Sequence, residues 1–317
     1  MKTAHERRSF MIQDIGEHRI DIVYNEKAAL RESDCIIAFQ GRNVYMRKRK
    51  KGMPSSFLTC EDILPVEYRK EAMERYVKDA VYLLSLDGKK LFLLPAKYLA
   101  SAYLAEKRDI DMFREKDEEG RAVNFAMITA WHVYCWYENT MFCGACGIRL
   151  RHGKKERAMV CPICGNVIYP RMDPAIIVGI YEEDRILLTK RSPSSGYFSL
   201  VSGYSEPGET LEETVRREVM EETGLSISHL VYYKSQPWAA SQSVLAGFFA
   251  RLDGDAHIHI DKSELSDARW VRREELEGCY STSGVSLTAE MITYFHKHPE
   301  HFPAYLNENI DNYKIDY

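Results

Sequence analysis

The sequence predicts an α+β protein in three parts: a β-rich N-terminal domain, a small cysteine-stapled module, and a C-terminal domain of sheet and helix. Three observations carry this reading. Residues from about 8 to 100 alternate short apolar, β-branched runs with turn residues. Two Cys-x-x-Cys pairs stand fourteen residues apart near mid-chain. In the last part, strand-like runs lead into one amphipathic helix that ends on glycine. The expected boundaries are 1–137 for the first domain with the aromatic helix that closes it, 138–169 for the module, 170–300 for the third domain, and 301–317 for a polar, tyrosine-rich tail.

In the first domain, Ile20–Tyr24, Cys35–Phe39, Val81–Leu86 and Lys90–Leu94 read as strands, and Asp87-Gly88 between the last two is a hairpin signal. The basic run Arg47–Lys51 lacks interleaved aromatics and reads as a solvated loop. Cys35 and Cys60 have no partner motif and read as buried or idle thiols. Arg121–Tyr137 is strongly apolar with helical spacing, so His132 and Cys135 within it are expected to pack rather than ligate.

Cys143-x-x-Cys146 and Cys161-x-x-Cys164 have the spacing of a tetrahedral Zn2+ site of zinc-ribbon type. Gly147 and Gly165 follow each second cysteine and suit tight knuckle turns. A redox Cys-x-x-Cys is the competing reading, and two pairs in register argue against it. Four thiolates close the shell, which leaves His152 as a surface residue. A closed site is structural, and such sites contribute on the order of 10 kcal/mol of folding free energy to small zinc peptides. The segment RLRHGKKERAMV between the pairs is basic and keeps a nucleic-acid role open.

Tyr169–Pro174, with two prolines, reads as a rigid linker. Ala175–Tyr181 and Arg185–Lys190 form an expected hairpin about Glu183-Asp184, and Tyr197–Val201 a third strand that delivers the chain to a loop at Gly203. The helix is expected over Leu211–Thr223. Thr210 is its N-cap, Glu213 completes a capping box, and Gly224 is its C-cap. Leu211, Val215 and Val219 form the stripe that packs on a sheet. Glu218 and Glu222 share one face with Glu221 beside them, at the helix end where the macrodipole disfavours negative charge. A positive group must compensate, and a hard divalent cation fits oxygen ligands of this kind. Arg217 is placed to reach back to Glu209.

These residues resemble the Nudix box: Gly203, five residues, Glu209, seven residues, Arg217-Glu218-Val219, one residue, Glu221-Glu222, one residue, Gly224-Leu225. The resemblance implies an α/β/α sandwich with a mixed sheet. It also implies hydrolysis of a nucleoside diphosphate linked to another group, with Mg2+ or Mn2+ held by Glu218, Glu221 and Glu222. Downstream, His229–Ser235 reads as a strand. Ser235-Gln236-Pro237-Trp238 and Ser243 then resemble the array of NADH pyrophosphatases, with Ala239-Ala240-Ser241 replacing its Pro-Phe-Pro centre. The order of β-rich region, aromatic helix, ribbon, linker, box and array is that of NADH pyrophosphatases over roughly residues 120 to 295. The resemblance implies cleavage of NADH or NAD+ to nicotinamide mononucleotide and AMP, removal of NAD caps from RNA, and a homodimer. It assigns Glu264 to the metal site or to the attacking water. Glu209 and Arg217 orient the helix; Tyr204, Gln236, Trp238 and Ser243 are the expected substrate residues. Strands over Val244–Arg251 and Ala268–Val271, a short acidic helix near Glu274, and an amphipathic helix from Ser286 to His298 complete the domain.

Composition narrows the classes. Hydrophobic residues are 45% and charged residues 28%, an ordinary globular balance, and the net charge of −4 gives no bulk attraction to nucleic acid. No apolar run approaches the ~20 residues of a membrane span. The start MKTAHERRSFMIQD lacks the apolar core of a signal peptide, so a cytoplasmic protein is expected, with its 8 cysteines as thiols and metal ligands. Two alternatives remain: a Nudix hydrolase preferring ADP-ribose or another nucleoside diphosphate derivative, and a zinc-ribbon nucleic-acid-binding regulator without turnover.

Overall fold

The computed structural model describes residues 11–48, 56–64, 69–100, 102–114, 120–280 and 285–302. Part of the basic run (49–51) and most of the tyrosine-rich tail (303–317) lie outside the described residues. The described chain divides into two compact units: 13–171 with 239–242, and 11–12 with 172–238 and 243–302.

In the first unit, β1 (Ile20–Asp21), β2 (Cys35–Gln40), β3 (Asn43–Arg47), β4 (Leu58–Thr59), β5 (Val81–Leu86), β6 (Lys89–Leu93) and β7 (Ala105–Asp109) form one sheet, ordered β1-β5-β6-β2-β3-β7 with β4 on β2. The expected first strand is cut to two residues. Ile22 and Val23 are 61% and 71% exposed, and without a buried face a β-branched run has nothing to pair for. Asp87 and Gly88 both take positive φ, as a tight hairpin with the twist of its strands requires. Two helices that the strand pattern did not reveal follow β4: α1 (Cys60–Ile63) and α2 (Arg69–Asp79). From α2, Ala72 and Tyr76 join Ile36, Leu58, Tyr82 and Phe92 in the core. Cys60 is fully buried, as expected. Helix α3 (Arg121–Asn139) buries Ala126, Met127, Ala130 and Trp131, and Phe39 packs on the rings of Trp131 and Tyr134. His132 Nε2 meets the Arg171 carbonyl at 2.7 Å, so this histidine ties α3 to the end of the linker.

After α3 come the ribbon strands β8 (Arg151–His152), β9 (Met159–Val160) and β10 (Val167–Ile168). Each knuckle closes with a glycine N–H on the first cysteine's carbonyl: Gly147 on Cys143 at 2.8 Å and Gly165 on Cys161 at 3.1 Å. Both glycines have φ near +75°, a conformation that costs an L side chain about 1–2 kcal/mol.

The second unit is a sheet of β11 (Asp173–Glu182), β12 (Arg185–Lys190), β13 (Val201–Tyr204), β14 (Ser226–Trp238), β15 (Ser243–Asp253) and β16 (Asp267–Arg272). The order is β14-β15-β11-β12-β16 with β13 on β11; β11 and β15 are parallel and the other pairs antiparallel. Alternation along β11 builds two cores. Ile176, Val178 and Ile180 pack under Val215 and Val219 of α4 (Leu211–Thr223). Ile177 and Tyr181 pack under Met291, Ile292 and Phe295 of α5 (Leu287–Lys297). The result is the expected α/β/α sandwich. The acidic segment near Glu274 is a single 3-10 turn.

Three strand expectations are corrected. The third strand is Val201–Tyr204, not Tyr197–Val201. Phe198 turns into the core and bonds the Cys279 carbonyl, so only Ser199 bridges to Thr189 before pairing with β11 begins. Gly203 therefore lies within a strand, opposite Ile176, and not in a loop. The strand expected over His229–Ser235 runs from Ser226 to Trp238 with two irregularities, His229 taking a φ of +47° at the first, so Ser235–Trp238 belong to a strand.

Candidate active site

Two strands and one helix build the site. Thr210 accepts from the Glu213 N–H and Glu213 accepts from the Thr210 N–H, so local chemistry alone starts α4 where the site needs it. At its other end Gly224 takes the left-handed conformation at φ +69°. The segment 259–261 then covers the last carbonyls: His259 N–H bonds Thr223 at 2.9 Å and Asp261 N–H bonds Glu222 at 3.1 Å.

Arg217 organises the carboxylates. Its Nε and one terminal nitrogen grip Glu209 at 2.6 and 3.0 Å, a bidentate pair. The remaining bonds go to Glu218 at 2.8 Å, Glu221 at 3.0 Å and the Tyr204 carbonyl at 2.9 Å. Five N–H groups thus meet five acceptors, the full capacity of a guanidinium. Glu209 also accepts from the Glu206 N–H at 3.0 Å, and the Thr214 hydroxyl lies 3.0 Å away. The Arg217 bonds, the Glu206 N–H and Thr214 together hold the Glu209 carboxyl down at about 2, against some desolvation. Much of the compensation expected from a cation thus comes from Arg217. The reason is geometric: residues 217, 218 and 221 share one helix face, with Glu209 folded back against it.

Glu222 differs. Its side chain is 2% exposed, and its near cation is Arg191, at 3.4 Å, which also donates to the Ser202 carbonyl at 2.6 Å. Burial pushes the Glu222 carboxyl up to about 7; Arg191 opposes this, while Glu218, Glu264 and Asp261 add to it. Glu264 sits exposed in the turn that follows Asp261, within the field of Glu222. So Glu218 and Glu264 both act on Glu222, and Glu221 stands exposed on the same helix. Arg191 and Asp261 were missed by sequence reasoning. Arg191 follows a strand eleven residues before the Ser202 carbonyl it holds, and no local pattern marked either residue.

Gly203 explains how Glu218 fits. A Cβ at this glycine would lie 1.9 Å from the Glu218 carboxyl carbon. The carboxylate thus occupies the space that a side chain would take. An oxygen-only donor set with two buried members, Glu218 and Glu222, and two exposed ones, Glu221 and Glu264, suits Mg2+ or Mn2+, and these are the residues that would hold it.

The other expected residues fall into two groups. Strand register aligns Trp238 with Ser243, Ser243 with Asp173, and Tyr204 with Ala175, so all three reach one end of the sheet. Tyr204 is 50% exposed, with its hydroxyl 3.3 Å from Ser243 Oγ. Gln236 has a different task from the one expected. It is fully buried, accepts from the Leu287 N–H at 2.7 Å and donates to the Val285 carbonyl at 3.0 Å. Its amide fastens the start of α5 to β14 and is not presented to a substrate. Ala239–Ser241, which stand where the array differs, form a 3-10 turn with Ala239 buried.

In the ribbon, the sulfur atoms of Cys143 and Cys164 lie 3.6 Å apart, those of Cys146 and Cys161 3.5 Å, and those of Cys146 and Cys164 3.6 Å. Zinc–thiolate bonds of about 2.3 Å at tetrahedral angles demand sulfurs roughly 3.8 Å apart. The four thiols fit. His152 is exposed, packed edge-on to Tyr137.

Comparison with known proteins agrees with this geometry. Residues 170–295 match the NUDIX domain, and residues 138–169 match the NADH pyrophosphatase zinc ribbon domain. A protein of Escherichia coli O157:H7 named NAD-capped RNA hydrolase NudC is 43% identical over 143 residues, 44% of this chain and 55% of the relative. Its namesake in Salmonella typhi is 42% identical over 142 residues, with the same coverage. The chain therefore spans about half the length of the curated relatives it matches. Among solved structures, a NUDIX hydrolase from Nitrosomonas europaea overlays 52% of this chain and 96% of its own at a TM-score of 0.43 and 22% identity. With its box, its sandwich and its four-cysteine module in this order, the chain carries a NUDIX domain over residues 170–295, preceded over residues 138–169 by a zinc ribbon domain of the NADH pyrophosphatase type.

Proposed function

We propose that this protein hydrolyses the diphosphate of NADH and NAD+ to nicotinamide mononucleotide and AMP, acting in the cytoplasm as a homodimer. The carboxylate helix carries the reading: Glu218 seated against Gly203, Glu222 buried beside Arg191 and within the field of Glu264. Zinc held by Cys143, Cys146, Cys161 and Cys164 serves structure. A Mg2+ or Mn2+ at the glutamates supplies neutralisation of the phosphate charge and activation of water. Arg217 and Glu209 keep the helix and the preceding loop in one geometry, so the carboxylates are set before substrate arrives. Glu264, exposed outside the helix, is the carboxylate to accept the proton of the attacking water. Tyr204 and Trp238 offer ring faces at the end of the sheet nearest Gly203; stacking on one such ring contributes about 1–3 kcal/mol per base. The names of the relatives extend the proposed substrates to NAD-capped RNA.

One observation favours a second reading. The Ala239–Ser241 turn presents no ring where the NADH pyrophosphatase array has Phe, which supports a preference for ADP-ribose or another nucleoside diphosphate derivative. Chromatography of products from NADH, NAD+ and ADP-ribose at matched concentrations, with Mg2+ and with Mn2+, separates the two. AMP and the mononucleotide from NADH in clear preference, lost in Glu222→Gln, establish the first reading. Preferred cleavage of ADP-ribose establishes the second. Absence of metal-dependent turnover, with tight RNA binding, returns the ribbon to the role of a regulator. Release of nicotinamide mononucleotide from NAD-capped RNA, leaving a 5′-monophosphate end, is measured in the same series.

A further inference from the structure

The C-terminal end of α5 carries a second cluster of metal-ligating groups, away from the glutamates and the ribbon in sequence. His298, the C-cap of α5, Glu300 and His301 follow one another through a 3-10 turn over Pro299–His301. One donor atom from each lies within 4.8 Å of the others. His298 Nδ1 is 3.0 Å from Glu300 Oε1, and His301 Nε2 is 3.9 Å from the same oxygen. Two donors at ~2.1 Å from one cation stand at most ~4.2 Å apart, so both separations are within reach of a shared ion. The imidazole rings of His298 and His301 are parallel, 5.4 Å apart with 9° between planes.

A second observation concerns the tautomer. The Tyr294 hydroxyl is 2.5 Å from His301 Nδ1. In the tautomer in which Nδ1 is the N–H donor of this contact, the lone pair lies on His301 Nε2, the atom that faces Glu300. Metal-bound histidines are oriented in this way by a partner on the other ring nitrogen. The turn also has a firm seat: Phe302, 4% exposed, packs on the rings of Tyr181, Phe249 and Phe295.

From this geometry we propose that His298, Glu300 and His301 form a binding site for a borderline divalent transition cation such as Ni2+ or Zn2+, with Tyr294 as the residue that orients His301. Two imidazoles and one carboxylate, with water in the open positions, suit such ions better than Mg2+. The ion clips the turn to the end of α5 and keeps Phe302 seated in the core behind it. Glu300 also lies in the field of Arg273, and the cluster is partly exposed, so micromolar affinity is expected.

The test is calorimetric titration of Ni2+ into the full, untagged, zinc-loaded chain in excess Mg2+, which occupies the glutamates. One Ni2+ per chain is expected. His298→Ala and His301→Gln should each weaken it at least tenfold, and Tyr294→Phe by roughly 10-fold or more, the usual effect of removing an orienting partner. Near-ultraviolet circular dichroism and diphosphate hydrolysis report whether each variant is folded; if Tyr294→Phe disturbs the aromatic core, the two histidine variants still decide. No Ni2+ bound by the wild type, or binding that survives both histidine substitutions, overturns the proposal.

Discussion

At the scale of single residues, Gly203 and Arg217 matter through what they make room for and what they hold. Gly203 has no positive φ to defend, so alanine there meets only the flexible end of Glu218. Gly203→Ala should then cost about 1 kcal/mol of stability, the size of a displaced rotamer. It should cost ~100-fold in kcat, the usual effect of moving a reacting group by about an ångström. Thermal unfolding and steady-state kinetics on one preparation check both numbers. For Glu209 the sign follows from its low carboxyl, about 2 against an ordinary 4.5. Below the ordinary value the unfolded chain takes up the proton first, so the pair stabilises fully above it and the gain is lost as pH falls towards 2. Denaturant midpoints of wild type and Glu209→Gln should differ most at pH 7, less at pH 3, and converge only as the pH falls to about 2. An unchanged gap would mean that the Arg217 pair is not its source. Gln236 teaches a different lesson. Its place in the array suggested substrate contact, but nothing local reveals that residues 285 and 287, some fifty positions on, consume both ends of its amide.

At the scale of elements, α4 was legible to the residue because its limits are set by neighbours in sequence. Thr210, Glu213 and Gly224 act over three or four positions, and the apolar stripe follows the helical period. Thr210→Ala should accordingly destabilise the second unit by about 1 kcal/mol with little effect on KM, as read by thermal unfolding and kinetics. Strand limits were less legible, since a strand ends where its partner ends. β13 starts at Val201 because β11 is there to pair, and β14 extends to Trp238 because β15 runs beside it. The pattern of Tyr197–Val201 was apolar enough for a strand, but Phe198 was wanted by the core. Helix α2 was hidden for the opposite reason: among its described side chains Ala72 and Tyr76 are buried and Met73 packs partly against them, a stripe of one turn amid charged residues.

At the scale of the whole molecule, the second unit and the ribbon draw their stability from different sources. The two cores of the second unit are formed by Met11 and residues from 176 onward, whereas the ribbon has three two-residue strands and four thiols. Zinc is therefore expected to supply most of the ribbon's folding free energy, on the order of 10 kcal/mol. Removing it with a chelator should expose 138–169 to limited proteolysis while the second unit keeps its cooperative unfolding; mass spectrometry of the fragments reads the outcome. No helix among the described residues is long and apolar enough to cross a membrane. What the sequence determined by itself was whatever acts over a few residues: the capped helix, its row of acids, the two knuckles and the order of the parts. The tertiary structure alone decided what depends on distant chain segments meeting. It put Glu218 in the space of a missing Cβ, buried Glu222 against Arg191 and committed Gln236 to α5, because burial and hydrogen-bond partners are properties of the packed chain and of no window within it.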